Sequence, residues 1–178
     1  KNIPDLTYEE FKGFHERYYH PSNSRIFIYG DCQIDSCLEF LNEEYLQKFS
    51  RQPVDSTIQF QRRFRQPKRK ELSYAISKDE SQDKKTFVVV GMKLDKSTHH
   101  EHCLGMEILS HILLGTSASP LRKALMDSEL GTEVIGGGFD DNRAETMFAV
   151  GLKGTEKENE GAILDLVFGT LRDLAEKG

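Results

Sequence analysis

The chain has 178 residues, with 24 Lys and Arg against 29 Asp and Glu, and its net charge of -5 gives no electrostatic ground for nucleic acid as a global partner. No apolar run approaches the roughly 18 residues that a membrane span needs, and nothing reads as a signal peptide, so neither is legible here. Cys32, Cys37 and Cys103 are an odd number without the spacing of a disulfide-stapled scaffold, which fits reduced thiols.

In chain order, Thr7 and Glu10 form a Thr-x-x-Glu capping box. This predicts a helix from Tyr8 with Phe11, Phe14 and Tyr18 on one face, ended by Pro21. Residues 25–29 read as a short strand stopped by Gly30 and Asp31. Residues 35–49 read as a helix with Cys37, Leu38, Leu41, Tyr45 and Leu46 on its apolar side. Periodicity lapses after Ser50, so residues 51–67 are read as a linker between a first region, 1–50, and a second, 68–178. The basic run Arg62, Arg63, Arg65, Lys68, Arg69 and Lys70 lies at this linker, where self-repulsion favours an extended form. Without an aromatic platform it reads as a solvated linker rather than as a nucleic-acid site, with contact to acidic surface elsewhere in a longer protein as a further role.

A strand is expected at 71–77 and a charged turn at 78–84. The β-branched run in 86–94 is the strongest strand signal and suits a strand covered on both faces or in the middle of a sheet. Thr98 with Glu101 makes a second capping box, opening a helix that buries Leu104, Ile108, Leu109, Ile112 and Leu113 and ends near Gly115. Ser119 and Pro120 start another, which carries Leu121, Ala124 and Leu125 inward and closes at Gly131. Residues 132–135 read as a strand whose end Gly136, Gly137 and Gly138 leave bare, and 145–153 as a strand with Phe148, Val150 and Leu152 on one face. Thr155 with Glu158 makes a third capping box. The last helix buries Ile163, Leu166, Val167, Thr170, Leu171 and Leu174, with Ala162 beside them. Together these elements predict an α+β fold, a largely antiparallel sheet with helices packed on one face.

Three local patterns invite chemistry. Thr98-His99-His100-Glu101-His102 has one histidine too few for an inverted zinc motif, and its threonine and glutamate are already explained as a cap; His99 with His102 or Cys103 offers at most an adventitious metal site. Glu107 and His111 share a helical face, yet two ligands are one short of the three that catalytic zinc takes from protein. No metal ligand and no catalytic residue is therefore assigned. Gly136-Gly137-Gly138 lacks the Lys-Ser/Thr of a phosphate loop, which leaves a bulge or tight bend on one reading and an edge open to an extended peptide on the other.

Gly105-Met-Glu107-Ile-Leu-Ser110-His111-Ile-Leu-Leu-Gly115-Thr116 resembles the helix that carries His-x-x-Glu-His and then Gly-Thr in pitrilysin/insulinase-like zinc peptidases. Here the three motif positions hold Glu107, Ser110 and His111. SPLRKALMDSELG and IGGGFDDNRAETMFAVGLKG, with YYHPSNSRIFIYGD near the start, resemble the presequence-protease and falcilysin branch, and the likeness covers most of the chain outside 50–83. In that family only the first repeat carries the metal. The resemblance thus implies the end of a first repeat and much of a second, metal-free one. A start without methionine and a stop after a strong helix also read as an excerpt.

The resemblance further implies a parent zinc metalloendopeptidase, with its zinc ligands and its glutamate base outside this chain. Its substrates would be short unfolded peptides such as cleaved targeting sequences, its partners the remaining repeats of the same polypeptide, and its compartment a mitochondrion- or plastid-type organelle or the cytoplasm. This chain would supply chamber wall and a substrate exosite at Val134, Ile135, Gly136, Gly137 and Gly138, with Gly115, Thr116 and Ser117 beside it. A non-catalytic homologue, such as the inactive subunit of the processing peptidase or a respiratory-complex core protein, would read the same in this region.

Overall fold

The computed structural model describes residues 3–177, which divide into two compact units on either side of the Gln59–Phe60 bond. In the first unit the Thr7 capping box forms as the sequence predicts: the Glu10 N–H donates to Thr7 Oγ1 and the Thr7 N–H to Glu10 Oε2. It opens α1 (Tyr8–Tyr18). A turn at Pro21–Asn23 follows, capped by the Ser22 N–H on His20 Nδ1 at 3.1 Å, and then α2 (Ile34–Glu44). Residues 25–29 form no strand. Phe27 and Tyr29 are 88% and 92% exposed there, because an apolar alternation becomes a strand only where a neighbour accepts its ladder bonds, and none does among the described residues. α2 stops at Glu44, and a short 3-10 turn, Leu46–Lys48, takes the rest of the expected helix. Phe11 and Phe14 remain exposed.

The second unit is built on a three-stranded antiparallel sheet of order β1-β3-β2, with β1 at Thr86–Lys96, β2 at Glu133–Asp140 and β3 at Glu145–Thr155. The helices α3 (His100–Leu114), α4 (Pro120–Asp127) and α5 (Glu160–Lys177) supply the apolar partners of one face. That is the α+β architecture expected from the sequence. β3 alternates as its sequence demands, and Phe148, Val150 and Leu152 are buried against Leu121 and Leu125 of α4 and Ile163 and Val167 of α5. Burying each such side chain contributes roughly 1.5–3 kcal/mol.

Several expectations are corrected. The strongest strand signal belongs to an edge strand: among the described residues β1 pairs with β3 alone, and Phe87 and Val89 are 53% and 51% exposed on the face away from the helices. A β-branched run records tolerance of the pleat and cannot say how many faces are covered. α3 carries apolar residues on more than one face, and those that pack on the core are Met106, Leu113 and Leu114, while Leu104, Ile108, Leu109 and Ile112 stay exposed. Its N-cap is His99 without a side-chain cap, because the His99 ring pairs with Asp95 at 2.7 Å instead of Thr98 reaching Glu101. Thr155 is the buried last residue of β3, and a 3-10 turn at Lys157–Asn159 separates it from α5, so the third capping box does not form. α4 ends at Asp127, capped by Ser128 and followed by Glu129 in the left-handed conformation (φ 55°), so Gly131 does not close it.

Residues 71–77 also form no ladder. The chain there is held instead by polar ties. The Gln61 N–H donates to Glu145 Oε2 at 2.7 Å, and Arg69 grips both oxygens of Glu160 at 2.7 and 2.8 Å while touching Glu71 at 3.1 Å. Glu71 also receives Lys157 at 2.6 Å, and Tyr74 meets Phe87 edge-on at 5.5 Å. Of the basic run, Arg69 meets acidic groups within this unit, Glu160 and Glu71, rather than acidic surface elsewhere in a longer protein. Hydrogen bonds from Arg69 hold Glu160 below the usual carboxylate range, and those from Lys157 and Arg69 do the same for Glu71. Glu145 is lowered chiefly by Lys93.

Two predictions follow from these contacts. Folded-state pKa values lower than unfolded ones stabilise the docked segment at neutral pH, and that contribution is lost as pH falls through the depressed values, below about 4.3. The Gln61 amide resonance is expected to report release of Glu145 in that acid window, and titration at the ordinary glutamate value would mean the tie contributes nothing. The second concerns Ser110 of α3, whose Oγ accepts the Phe139 N–H at 3.0 Å and joins the helix to β2. Ser110→Ala is expected to cost about 1–2 kcal/mol in urea unfolding. Gly138→Ala is expected to cost more, since its φ is 75° and its new Cβ would collide with that hydroxyl.

Candidate functional site

The C-terminal half of α3, the start of the turn into α4, Arg122 of α4 and the strand β2 line an open pocket of about 310 Å³. The turn is locked by local hydrogen bonds. The Gly115 N–H donates to the His111 carbonyl at 2.7 Å, and Arg122 Nε, from α4, donates to the Leu114 carbonyl at 2.9 Å, satisfying a group that a helix end leaves orphaned. Ser119 does not cap α4 with its side chain; its Oγ turns back and accepts the Thr116 N–H at 3.0 Å. Pro120 takes the first helical position, as the sequence predicts.

Of the expected site residues, Gly115, Val134, Ile135 and Gly137 line this one cavity, together with Glu107, Ser110 and His111 from the motif positions and Leu114, Arg122 and Phe139. Thr116, Ser117, Gly136 and Gly138 do not line it. Thr116 and Ser117 are exposed in the adjoining turn, and Gly138 is buried beneath Ser110.

The three glycines lie inside β2 and not at its end. Ile135 pairs with Gly151 and Gly138 with Ala149, so β2 spends one residue more than β3 across this stretch, which is a β-bulge. All three have positive φ, at 107°, 79° and 75°. Their surroundings differ. A Cβ on Gly136 would lie 2.6 Å from the Ala149 carbonyl group, whereas one on Gly137 would meet nothing within 4 Å. The bulge therefore presents one open position, Gly137, beside the cavity. Because β2 is an outer strand of the sheet, its edge away from β3 has no ladder partner among the described residues.

The motif positions do not fit a zinc ion. Glu107 and His111 are two ligands, Ser110 is committed to the Phe139 N–H, and among the described residues no three His, Cys, Asp or Glu side chains gather as a metal needs. Near the start of α3, His99 is held by Asp95, and Cys103 is buried with its thiol toward the Ser97 carbonyl at 3.6 Å. The hydrogen bond with His99 is the main reason that Asp95 lies below the ordinary carboxylate range.

Sequence reasoning missed Arg122 and Phe139. Phe139 carried a weak signal, as the first large apolar residue after the glycines. Arg122 carried none, since its role is to cap a helix other than its own.

Comparison with known proteins gives this geometry its setting. The family profile described as "Peptidase M16 inactive domain" matches residues 5–178. "Presequence protease 1, chloroplastic/mitochondrial" of Arabidopsis thaliana is 42% identical over 181 residues, covering 100% of this chain and 17% of that protein. "Protein HypA" of Clostridium perfringens is 39% identical over 176 residues, 99% of this chain and 18% of that protein. "Presequence protease, mitochondrial" of Xenopus laevis is 34% identical over 179 residues, 99% and 17%. The chain thus spans under a fifth of the length of these relatives. The match over nearly all its residues shows that the chain belongs to the peptidase M16 family as an inactive-type domain of the presequence-protease branch.

Proposed function

We propose that this chain is the peptide-holding, non-catalytic portion of a longer zinc metalloendopeptidase that degrades short unfolded peptides. The observation that carries this reading is the open edge of β2 at its glycine bulge, where Gly137 leaves room for a second backbone beside the cavity. An extended peptide added at that edge gains affinity from main-chain hydrogen bonds, while its side chains are selected only weakly. Such recognition suits an enzyme with many peptide substrates. The catalytic zinc belongs, on this reading, to a preceding repeat of the same polypeptide, since the residues at the motif positions here do not fit it. The names of two relatives place them in mitochondria or plastids, and we assign the parent protein to an organelle of that kind. No helix among the described residues is long and apolar enough to cross a membrane.

Gly137 gives the sharper test, because substitution at Gly136 would strike the β3 backbone and disturb the sheet itself. In the parent enzyme Gly137→Asn, a residue that tolerates positive φ, is expected to weaken binding of long peptides about 5- to 30-fold, equivalent to roughly 1–2 kcal/mol. Peptides too short to reach this edge should be unaffected. Equal loss for both lengths, or none for either, would remove the edge from substrate binding.

Two further outcomes test the assignment of the chemistry. Chelator-washed protein of this chain should hold far less than one zinc per molecule by metal analysis, and one tightly held ion would overturn the division of roles. The polypeptide preceding this segment should carry His-x-x-Glu-His, with turnover abolished and folding retained when its glutamate is replaced by alanine. A preceding region without that motif would transfer the reading to a non-catalytic homologue.

A further inference from the structure

Cys32 and Cys37 frame the start of α2. Gln33 is the N-cap and Ile34 the first helical residue, so Cys32 occupies the position just before the cap and Cys37 the fourth position of the helix. Those are the two positions whose side chains meet in a hydrophobic staple, which fixes the angle at which chain joins helix. Here both are thiols. Their backbones are fixed independently, Cys32 by its N–H on the Gly30 carbonyl at 3.1 Å and Cys37 by its N–H on the Gln33 carbonyl at 3.1 Å. Both cysteines are free, Cys32 exposed and Cys37 half-buried, whereas Cys103 is buried. Gln33 makes no side-chain cap hydrogen bond, so the staple is the device that this helix start possesses.

We propose that Cys32 and Cys37 are a dithiol–disulfide couple, a redox modification site that converts the staple of α2 into a covalent one. The step needs an oxidant, and a small-molecule disulfide supplies it. One cysteine thiolate attacks a sulfur of that disulfide, forming a mixed disulfide and releasing one small thiol. The second cysteine then attacks the mixed disulfide, its own proton having passed to solvent, and releases the other small thiol. Two S–H bonds are exchanged for one S–S bond within the protein, and the small disulfide is reduced to two thiols. Loss of water contact, followed by a hydrogen bond with the Cys37 sulfur, raises the Cys32 thiol above its ordinary value, so the exchange is slow at neutral pH and quickens in mild alkali.

The test uses the full chain under native conditions in glutathione buffers of graded redox ratio, quenched by alkylation and read by intact mass and peptide mapping. The expected product has lost about 2 Da and links Cys32 to Cys37, with Cys103 recovered as an unmodified thiol that witnesses a closed fold. Hydrogen exchange of the first-turn amides of α2 should slow about tenfold in the oxidised form. Cys32→Ser and Cys37→Ser should each stop at a glutathione adduct on the remaining cysteine. A wild-type chain that accumulates glutathione adducts at both positions, or forms the link only in denaturant, would overturn the proposal. So would a link that forms natively but leaves first-turn exchange unchanged.

Discussion

The second unit depends on a single strand, β3, being satisfied in three directions at once. Its backbone is hydrogen-bonded on both sides, to β1 and to β2, and one face is buried under α4 and α5 through Phe148, Val150 and Leu152. A strand in that position cannot slip by one residue without moving every apolar side chain to the other face. Registers of both neighbours follow from it. So does the bulge in β2, where one extra residue is accommodated by the glycines while Val134 and Phe139 keep their places against the core.

That extra residue links fold to site. Three consecutive residues at positive φ would be strained for almost any other side chain, and glycine adopts the conformation without a Cβ penalty. The division of labour among them is steric: Gly136 passes close to β3, Gly138 passes under Ser110, and Gly137 faces open space. The Ser110 hydroxyl is the counterpart on α3, since it takes the Phe139 N–H that the disrupted ladder leaves beside it. Ser110 here serves to attach a helix to a strand. The cavity beside it keeps one carboxylate and one imidazole, Glu107 and His111, without the third group that would make them a metal site.

Polar ties do for the segment before β1 what burial does for the sheet. Arg69 bonds both oxygens of Glu160 in the paired geometry that guanidinium and carboxylate share, and Lys157 and Glu71 extend the cluster. Each pair is at least partly exposed, so its strength is limited by solvent screening. The cluster localises the segment rather than holding the unit together.

Much of this was legible in the residues. The helices of the chain, the antiparallel sheet, the buried face of β3 and the proline-led start of α4 follow from periodicity and capping chemistry, which are local. The residues from Gly105 to Thr116 carry the resemblance to the family, and Glu107 and His111 alone are one ligand short of a catalytic zinc site. Tertiary structure alone decided which face of α3 meets the sheet, because Leu104, Ile108 and Ile112 form as good an apolar stripe as Met106 and Leu113, and periodicity cannot choose between two stripes. It also decided that the valine-rich run is an edge strand and that residues 25–29 and 71–77 form none, since a strand exists only by virtue of a neighbour. The site is divided in the same way: glycines in sequence announce an unusual backbone, but only the packing of β3 and Ser110 against them determines that Gly137 is the one left open.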